Sequence, residues 1–521
     1  MSDSGAWTVE FYDFIAGPGR DVDEVVAGFG DLHERAARLG ARHGTPVLVT
    51  AAGHADARLN LFFRAGAMTG CTPATWRRYA FALVVWLEFL RVRDRAWSEA
   101  TAADVEAFKY WRLTAVANAR RVAPTSFDTD RAALSSFYAW ASGRYGIVNP
   151  VPSAVTSGSI RAGRAAGSAG RGRDPLRPAC SARRQVKWML RPAFEQWRDI
   201  GLRGYGFSGL RRPGWRGGAW EDRDAAFADG LYGTGLRVAE WASVLDVEVP
   251  EPAGARFAQA RLAAACVKGG GEGRGYRVPS GVLRSLESYL DPVEGSRAEA
   301  ITRARRAGRY ERLGGVRIVT GFSARTRVLT VAGGHLPLDA VGPDERRLLF
   351  RETPQGLEPL AVWLSALGLP KRAHSWQDTF GAANARVEAA WVEVDPRGRV
   401  RQRCPLWCRP HMLRHSFALK WYSILSVVWN QRIAGFDDSE VKDLREQFGD
   451  LWYQLAALMG HRNPMTTRDI YLEPFAALEV DYLMSLLDAE EAAGVDALVR
   501  AVAAGSGRVL DAVTAPGEGW R

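Results

Sequence analysis

A basic stretch near the middle of the 521-residue chain limits what the chain can fold into. Residues 161–191 contain nine basic side chains against one acid, Asp174, together with many glycines, alanines and serines. Because such a segment cannot bury an apolar face, it predicts a flexible linker, here placed over 153–215. A basic linker can lie along phosphates, although a plain solvated tether is the alternative. Either way, we expect separately folded parts on its two sides.

The part before the linker has the pattern of a small helical bundle. Thr72 followed by Pro73 is typical of a helix start, and Thr101 resembles the first residue of a capping box. Aromatic and aliphatic residues recur at helical spacing after each start. The sequence therefore predicts a small all-helical bundle over 67–152, while residues 1–66 have no assigned role.

The part after the linker, over 216–490, combines helical patterns with short strands. Residues 256–267 and 276–279 are predicted strands joined by a glycine-rich turn. Residues 491–521 are interpreted as a C-terminal helix and tail. The expected fold class is mainly α with a small β-sheet or hairpin, in which a helical domain is joined by a linker to a mixed α+β domain.

The overall charge favours a polyanionic partner. The net charge is +11 and the isoelectric point is about 9.6, which is typical of nucleic-acid binding. The alternative is codon bias in a GC-rich genome, because 63 of the 69 basic residues are arginine. The chain has no apolar run near the ~20 residues of a membrane span and no secretory signal. Five cysteines suit a reducing compartment, so we expect a cytoplasmic protein without a membrane partner.

The segment Tyr232-Gly-Thr-Gly-Leu-Arg237-Val-Ala-Glu240 predicts a phosphate-binding helix start. Its glycines end one helix and let the backbone turn, so that Arg237 lies where a guanidinium and N–H groups favour an anion. Glu240, one turn later, is expected to hold Arg237 in position. The alternative is an ordinary helix entry with a surface arginine.

Lys268 lies where the first predicted strand meets the glycine-rich turn. A lysine on a flexible hairpin can deliver a proton to a leaving oxygen, which arginine does poorly because its pKa lies above ~12. The alternative is a solvated surface lysine.

His411 and Arg414 are three residues apart on a predicted helix and share one face. Together they can bind one anionic centre, with the histidine as proton acceptor and the arginine as a charge clamp. His415 is interpreted as structural.

A fourth segment contains His461 and, after a predicted helix start at Pro464, Tyr471. A tyrosine on a short, exposed helix can present its hydroxyl as a nucleophile. The alternative for such a tyrosine is packing.

Together, the four segments resemble the tyrosine recombinases, also called phage-type integrases. The segment Thr75-Trp-Arg-Arg-Tyr79 is similar to part of the family's core-binding domain, and the resemblance covers roughly 67–152 and 216–490. It implies a helical, core-type DNA-binding domain over 67–152 and a catalytic domain over 216–490. Relative to the family, residues 291–345 are interpreted as an insertion. The six positions that follow the family's catalytic order are Arg237, Lys268, His411, Arg414, His461 and Tyr471.

The resemblance implies a site-specific DNA recombinase or integrase that needs no metal and no other cofactor. Tyr471 would attack the scissile phosphate, form a 3′-phosphotyrosyl link and release a 5′-hydroxyl. Because the covalent link conserves the bond energy, the partner strand can be joined without fuel.

The resemblance assigns roles to the other five residues as well. Arg237 and Arg414 would bind the non-bridging oxygens of the phosphorane. His411 would accept the phenol proton, which is otherwise held with a pKa of ~10. Lys268 would protonate the 5′-oxygen, and His461 would add a hydrogen bond to the phosphate.

The implied partners are double-stranded DNA and further copies of the chain, as a tetramer on DNA, in the nucleoid of a bacterial or phage-encoded system. The C-terminal helix within 491–521 either docks on a neighbouring subunit or packs on its own domain. Candidate DNA contacts are Arg77, Arg78, Arg171, Arg173, Arg183 and Arg184.

A rival interpretation is a non-catalytic, zinc-stabilised DNA-binding protein. Cys404, Cys408, His411 and His415 give a metal-like C-x3-C-x2-H-x3-H pattern. The spacer between Cys408 and His411 is very short for four tetrahedral ligands, and zinc leaves Tyr471 unexplained. A recombinase-like protein that binds DNA without cutting is a further alternative, against which the presence of all six residues argues.

Overall fold

The computed structural model describes most of the chain in two compact units, Met1–Arg184 and Gln185–Arg521. The described residues are 6–13, 32–152 except 51, 176, 187–268 except 216–219 and 252–253, 271–393, 404–433, 440, 451–467 except 462, and 509–513. The boundary between the units falls inside the predicted linker, most of which lies outside the described residues. No helix in the described part of the chain is long and apolar enough to cross a membrane.

The first unit is a helical bundle that carries a small two-stranded ladder. Its elements are β1 (Thr8–Phe11), α1 (Leu32–Arg38), β2 (Pro46–Val49), α2 (Ala57–Asn60), α3 (Pro73–Val92), α4 (Ala102–Leu113) and α5 (Pro124–Tyr145). Both predicted helix starts are present: Thr72 accepts a hydrogen bond from the amide of Thr75, and Thr101 forms a capping box with Asp104. These side chains satisfy N–H groups that a helix start leaves without a partner.

Aromatic side chains form the core of the first unit. Trp86 on α3 donates a hydrogen bond to the Tyr138 hydroxyl at 2.9 Å, and that hydroxyl donates to the carbonyl of Trp97 at 2.9 Å. All three residues are buried, and burying one such side chain contributes roughly 1.5–3 kcal/mol. The ladder of β1 and β2 packs on α3, so the described parts of residues 1–66 belong to the same folded unit.

The second unit contains helices and small sheets. Its helices are α6 (Arg191–Gly201), α7 (Glu221–Thr234), α8 (Val238–Ala242), α9 (Ser280–Leu290), α10 (Ser296–Arg306), α11 (Pro343–Arg346), α12 (Ser375–Glu393), α13 (Pro410–Ile433), α14 (Leu451–Met459) and α15 (Pro464–Thr466). Its strands are β3 (Trp188–Met189), β4 (Phe257–Leu262), β5 (Arg274–Pro279), β6 (Arg317–Ser323), β7 (Val328–Val331), β8 (Gly334–Pro337), β9 (Leu349–Thr353), β10 (Gly356–Pro359) and β11 (Val509–Leu510). The predicted fold class, mainly α with small sheets, is confirmed.

The hairpin of β4 and β5 was predicted from the sequence, and a larger sheet accompanies it. The two strands pair antiparallel from Phe257 opposite Pro279 to Leu262 opposite Arg274. A short 3-10 turn, Ala264–Cys266, follows β4 where the sequence predicted continued strand. The five strands of the second sheet lie in the order β10-β9-β6-β7-β8. The strands of this sheet span residues 317–359, so they overlap the second half of the predicted insertion and continue past its end. We call it the inserted sheet.

The predicted extent of the linker is wrong at its C-terminal end. Residues 188–189 form β3, and α6 follows at once. Phe194, Trp197 and Ile200 on α6 are buried in the main core of the second unit. Three large apolar side chains at helical spacing outweigh the local glycine and arginine content, because their burial offsets the entropy cost of ordering the segment. Near the chain's end, β11 pairs parallel with β3 of the same unit.

Candidate active site

The glycine turn after α7 places Arg237 beside a buried carboxylate. Gly235 has a φ of +65°, and a Cβ there would overlap the ring of Phe417, so only glycine fits this turn. Arg237 precedes α8 as its N-cap residue. Its Nη1 donates to Glu240 Oε1 at 2.7 Å, and its backbone N–H donates to Glu240 Oε2 at 2.8 Å. The expectation that Glu240 holds Arg237 is therefore confirmed by geometry.

Arg414 on α13 joins three segments of the second unit. Its side chain is among the largest fully buried ones, with 1% exposure. Nη1 donates to the carbonyl oxygen of Gly235, and Nη2 donates to that of Met459 at 2.6 Å. The guanidinium is thus fixed between the turn that carries Arg237 and the end of α14, which fixes it before any substrate arrives.

His461 follows α14 and contacts the same guanidinium. Its Nε2 lies 3.0 Å from Arg414 Nη2, and its Nδ1 lies 2.7 Å from the hydroxyl of buried Thr467. Because arginine only donates, Nε2 accepts, and we assign the ring proton to Nδ1, which donates to Thr467. Burial, together with the charges of Arg414 and Arg237, lowers the pKa of His461 to about 3, in agreement with a neutral ring.

This arrangement limits the role that the sequence assigns to His461. Both ring nitrogens are engaged within the protein. A hydrogen bond from His461 to a phosphate therefore requires that one of these contacts be released. In the arrangement observed, the ring orients Arg414.

Arg274 on β5 is a member of this cluster that sequence reasoning missed. Its Nη2 lies 3.2 Å from Glu240 Oε2, and its Nη1 donates to the carbonyl of Leu458 at 3.5 Å. Gly460 has a φ of +64°, and a Cβ there would overlap the Arg274 side chain. The alternation of residues along β5 could have identified it. Arg274 lies on the same face of the strand as buried Tyr276 and Val278, and an arginine on an apolar face is unusual.

The cluster brings several guanidinium groups to one buried carboxylate. Glu240 is 1% exposed and forms ion pairs with Arg237 and Arg274. Burial alone would raise the pKa of Glu240, but the charges of Arg274 and Arg237 and the Arg237 amide hold it below its usual value. Arg414 also acts on this carboxylate through its charge, so that three guanidinium groups lie around Glu240. Such a concentration of guanidinium donors suits an anionic centre such as a phosphate.

His411 lies on the exposed side of α13, close to the same cluster. Its ring contacts that of His415 at a centroid distance of 4.7 Å, and its charge contributes to the lowered pKa of His461. His415 itself is 6% exposed, and burial, followed by the charge of His411, lowers its pKa to about 3. A buried, neutral His415 agrees with the structural interpretation.

The remaining two catalytic candidates are less defined. Lys268 is exposed in the turn that follows Ala264–Cys266, and its ammonium makes no hydrogen bond or ion pair with any residue that the structure describes. Tyr471 lies outside the described residues. The structure therefore brings together Arg237, Arg414 and His461, with His411 nearby, and leaves the positions of Lys268 and Tyr471 relative to them as predictions.

The candidate DNA contacts are only partly described. Arg77 and Arg78 are exposed on α3, and the guanidinium of Arg77 lies over the rings of Phe11 and Phe81 at 4.9 and 5.6 Å. The other four candidates lie outside the described residues: Arg171, Arg173, Arg183 and Arg184.

The metal-like pattern does not assemble into a ligand cluster. Cys404 and Cys408 are buried free thiols, and burial raises the pKa of Cys404 to about 11 and that of Cys408 well above its usual value. A cysteine binds zinc as the thiolate, and a raised pKa disfavours that form. Within the described part of the chain, which includes both cysteines, His411 and His415, no three such side chains are grouped to hold a metal ion.

Comparisons with known proteins identify part of the chain. Residues 59–145 match the family described as "Phage integrase, N-terminal SAM-like domain". No curated protein matches the chain.

Similar solved structures are recombinases of low sequence identity. The XerH site-specific recombinase bound to a palindromic difH substrate, in a post-cleavage complex, is 12% identical, with 80% of each chain covered and a TM-score of 0.41. The XerA recombinase is 15% identical, with 80% of this chain and 92% of that chain covered and a TM-score of 0.26. XerH bound to difH in a pre-cleavage complex is 11% identical, with 80% and 81% covered and a TM-score of 0.37.

Proposed function

We propose that this chain is a tyrosine recombinase, that is, a site-specific DNA recombinase or integrase that cuts and rejoins strands through a 3′-phosphotyrosyl intermediate. One observation carries the proposal. Arg237 and the buried Arg414 are held at the same glycine turn, and the guanidinium of Arg274 shares the buried carboxylate of Glu240 with Arg237. A preorganised pair of guanidinium groups suits a phosphodiester whose negative charge grows in the transition state.

The chemistry is a transesterification with balanced proton transfers. The Tyr471 oxygen forms a bond to phosphorus as the bond from phosphorus to the 5′-oxygen breaks. His411 takes the phenol proton, and Lys268 gives a proton to the departing 5′-oxygen. Rejoining reverses both transfers, with a 5′-hydroxyl as the attacking group.

The two arginines stabilise the phosphorane between these steps. Each donates to non-bridging oxygens, and the loss of one such donor typically costs ~2.7–4 kcal/mol in the barrier. His461 contributes by orienting Arg414, and Arg274 contributes by holding Glu240 against Arg237. Neither side chain needs to touch the DNA for this role.

The partners of this activity are double-stranded DNA and three further copies of the chain. Recombination joins two duplexes by four strand cuts, each with its own tyrosine. The duplexes lie in a bacterial nucleoid, whether the gene is bacterial or phage-borne. Because β11 pairs with β3 of the same unit, truncation before residue 509 would disturb that unit, so a C-terminal contact between subunits is better tested by substitutions within 491–508.

The proposal is tested by trapping the covalent intermediate. The probe is a pool of DNA duplexes with a randomised core and a nick at staggered positions, from which the short cleaved strand escapes. The wild-type chain should form a protein–DNA adduct that survives denaturing electrophoresis, and Tyr471→Phe should bind the same duplexes without forming one. Tyr453→Phe, at an exposed tyrosine of α14, is the matched control and should form the adduct.

Two outcomes oppose the proposal. An adduct formed by Tyr471→Phe would remove Tyr471 as the nucleophile. Wild-type protein that binds the pool and forms no adduct at any nick position would favour the alternative, a DNA-binding protein on the same fold that does not cut.

A further inference from the structure

The turn at residues 338–341, which follows β8 of the inserted sheet, contacts the hairpin that carries Lys268. Asp339 in this turn accepts a hydrogen bond from the Ala264 amide at 3.2 Å through Oδ1. Its Oδ2 lies 3.5 Å from Arg261 Nη2 on β4. Asp339 thus binds the end of the strand that leads to Lys268.

The returning strand is close to the same carboxylate. A Cβ at Gly273 would lie 2.7 Å from the carbonyl oxygen of Leu262 and 3.1 Å from Asp339 Oδ1. Asp339 therefore lies where the two strands open into the glycine-rich loop. The buried thiol of Cys266 donates to the carbonyl of Val341 at 3.8 Å, which adds a second contact two residues before Lys268.

A buried ion pair fixes the 338–341 turn to the segment that follows α8. Arg346, with 2% exposure, donates to the carbonyl oxygens of Leu338 and Val341 at 3.1 and 3.0 Å. The same guanidinium pairs with Glu248 and donates to the carbonyl of Ser243 at 3.3 Å. The turn is therefore held in the frame that also positions Arg237 and Glu240.

We infer that the inserted sheet positions the proton donor of the reaction, with Asp339 as a positioning residue that fixes the hairpin beneath Lys268. This inference rests on the proposed function and on the predicted role of Lys268. Lys268 has no described partner of its own, and glycines follow it, so its placement depends on the backbone fixed at residues 264 and 266. Fixing these residues lowers the entropy cost of bringing the ammonium to one place.

The test compares two leaving groups on the same DNA. A duplex recovered from the trapped pool is made with the ordinary 5′-oxygen and with a bridging 5′-sulfur, which departs without a proton. Asp339→Ala should slow adduct formation on the ordinary duplex by roughly 10-fold, since a misplacement of 1 Å can cost up to ~100-fold. On the sulfur duplex, its rate should stay within about 2-fold of the wild type because the proton donor is no longer needed.

Matched variants separate positioning from general damage. Asp339→Asn keeps the acceptor oxygen for the Ala264 amide and should restore most of the rate. Asp344→Ala removes a carboxylate of the same insertion that pairs only with Arg347 among the described residues and should leave both rates unchanged. Cys266→Ala, a smaller change, should lower the ordinary rate by about 2–3-fold and spare the sulfur duplex.

The outcomes distinguish this inference from the proposed function. Wild-type cleavage of both duplexes upholds the function, whatever Asp339→Ala does. Equal slowing of both duplexes by Asp339→Ala, or slowing of neither, would overturn the positioning role. If Asp339→Ala fails to fold, the same two patterns in Cys266→Ala decide the question.

Discussion

The Arg414–His461 pair and the Lys268 loop serve one proposed reaction but are built in opposite ways. Arg414 is buried and is bound by two carbonyl oxygens and a histidine. Lys268 is exposed at the edge of a glycine-rich loop. The contacts proposed to position it are made by residues before it in the chain, the Ala264 amide and the Cys266 thiol. Groups that stabilise developing charge gain from rigid preorganisation, whereas a proton donor needs only to reach one oxygen at one step. Stability and catalysis should therefore be coupled at the first region and separable at the second.

The largest effect is expected for Arg414→Ala, which acts on both properties. Its removal leaves the carbonyl groups of Gly235 and Met459 and the ring of His461 buried without their donor. We expect the free energy of unfolding to fall by about 3–5 kcal/mol and adduct formation to slow by at least about 1,000-fold. Chemical denaturation and the nicked-duplex assay measure the two effects.

The matched control is Arg409→Ala, at an exposed arginine just before α13 whose guanidinium lies 5.4 Å from the centre of the Trp407 ring. Its unfolding free energy should change by less than about 1 kcal/mol. Equal unfolding curves for the two variants would contradict the anchoring role of Arg414.

Lys268→Ala should lower the rate of adduct formation without lowering the free energy of unfolding, whereas Arg414→Ala should lower both. If Lys268 is the proton donor, its loss should slow adduct formation by about 100-fold or more on an ordinary duplex. Because the side chain is exposed and forms no hydrogen bond or ion pair with a described residue, the free energy of unfolding should stay within about 0.5 kcal/mol of the wild type. The 5′-sulfur duplex should recover most of the rate.

The control for this variant is Arg277→Ala, at an outward-facing position of the same hairpin. It tests whether any lost cation on the hairpin weakens DNA binding, which would slow both duplexes alike. If Lys268→Ala showed that same pattern, Lys268 would be a DNA-binding residue and not the general acid.

The contrast between these regions also shows what sequence patterns can and cannot predict. The Arg237–Glu240 contact is local, three residues apart around a glycine turn, so spacing and turn chemistry were enough to predict it. The brace on the Lys268 loop joins residues 75 apart in the chain. No local pattern marks Asp339 as its partner, because strand pairing and the placement of the insertion decide which segments meet.

Two further errors concern helix α6 and Arg274. Helix α6 was assigned to the linker because its local composition resembles a tether, while its stability comes from the tertiary burial of residues such as Trp197. Arg274 was passed over because the second strand was predicted to begin at residue 276, whereas β5 begins at Arg274. Its partners, Glu240 and the Leu458 carbonyl, lie far away in sequence and gave no further indication.

The smallest expected effect concerns acid stability, and it tests whether the rigid region holds His461 neutral. Burial lowers the pKa of His461 from 6.5 to about 3, so below pH 6.5 the unfolded chain binds a proton that the folded chain does not. Stability contributed by the neutral ring is therefore fully present above pH 6.5 and is lost as the pH falls towards 3. For one such histidine, the loss by pH 5.5 is about 1.4 kcal/mol, and His415 adds a similar loss.

The free energy of unfolding, measured from pH 7.5 to 5.5, should decrease by the sum of these two losses. This pH range lies above the one in which most carboxylates titrate. His461→Gln keeps an acceptor for Arg414 without a titrating ring and should remove about half of the slope, while His374→Gln, at an exposed histidine, should keep the wild-type slope. An unchanged slope in His461→Gln would mean that the ring is charged in the folded protein, and Arg414 would then need a different partner to orient it.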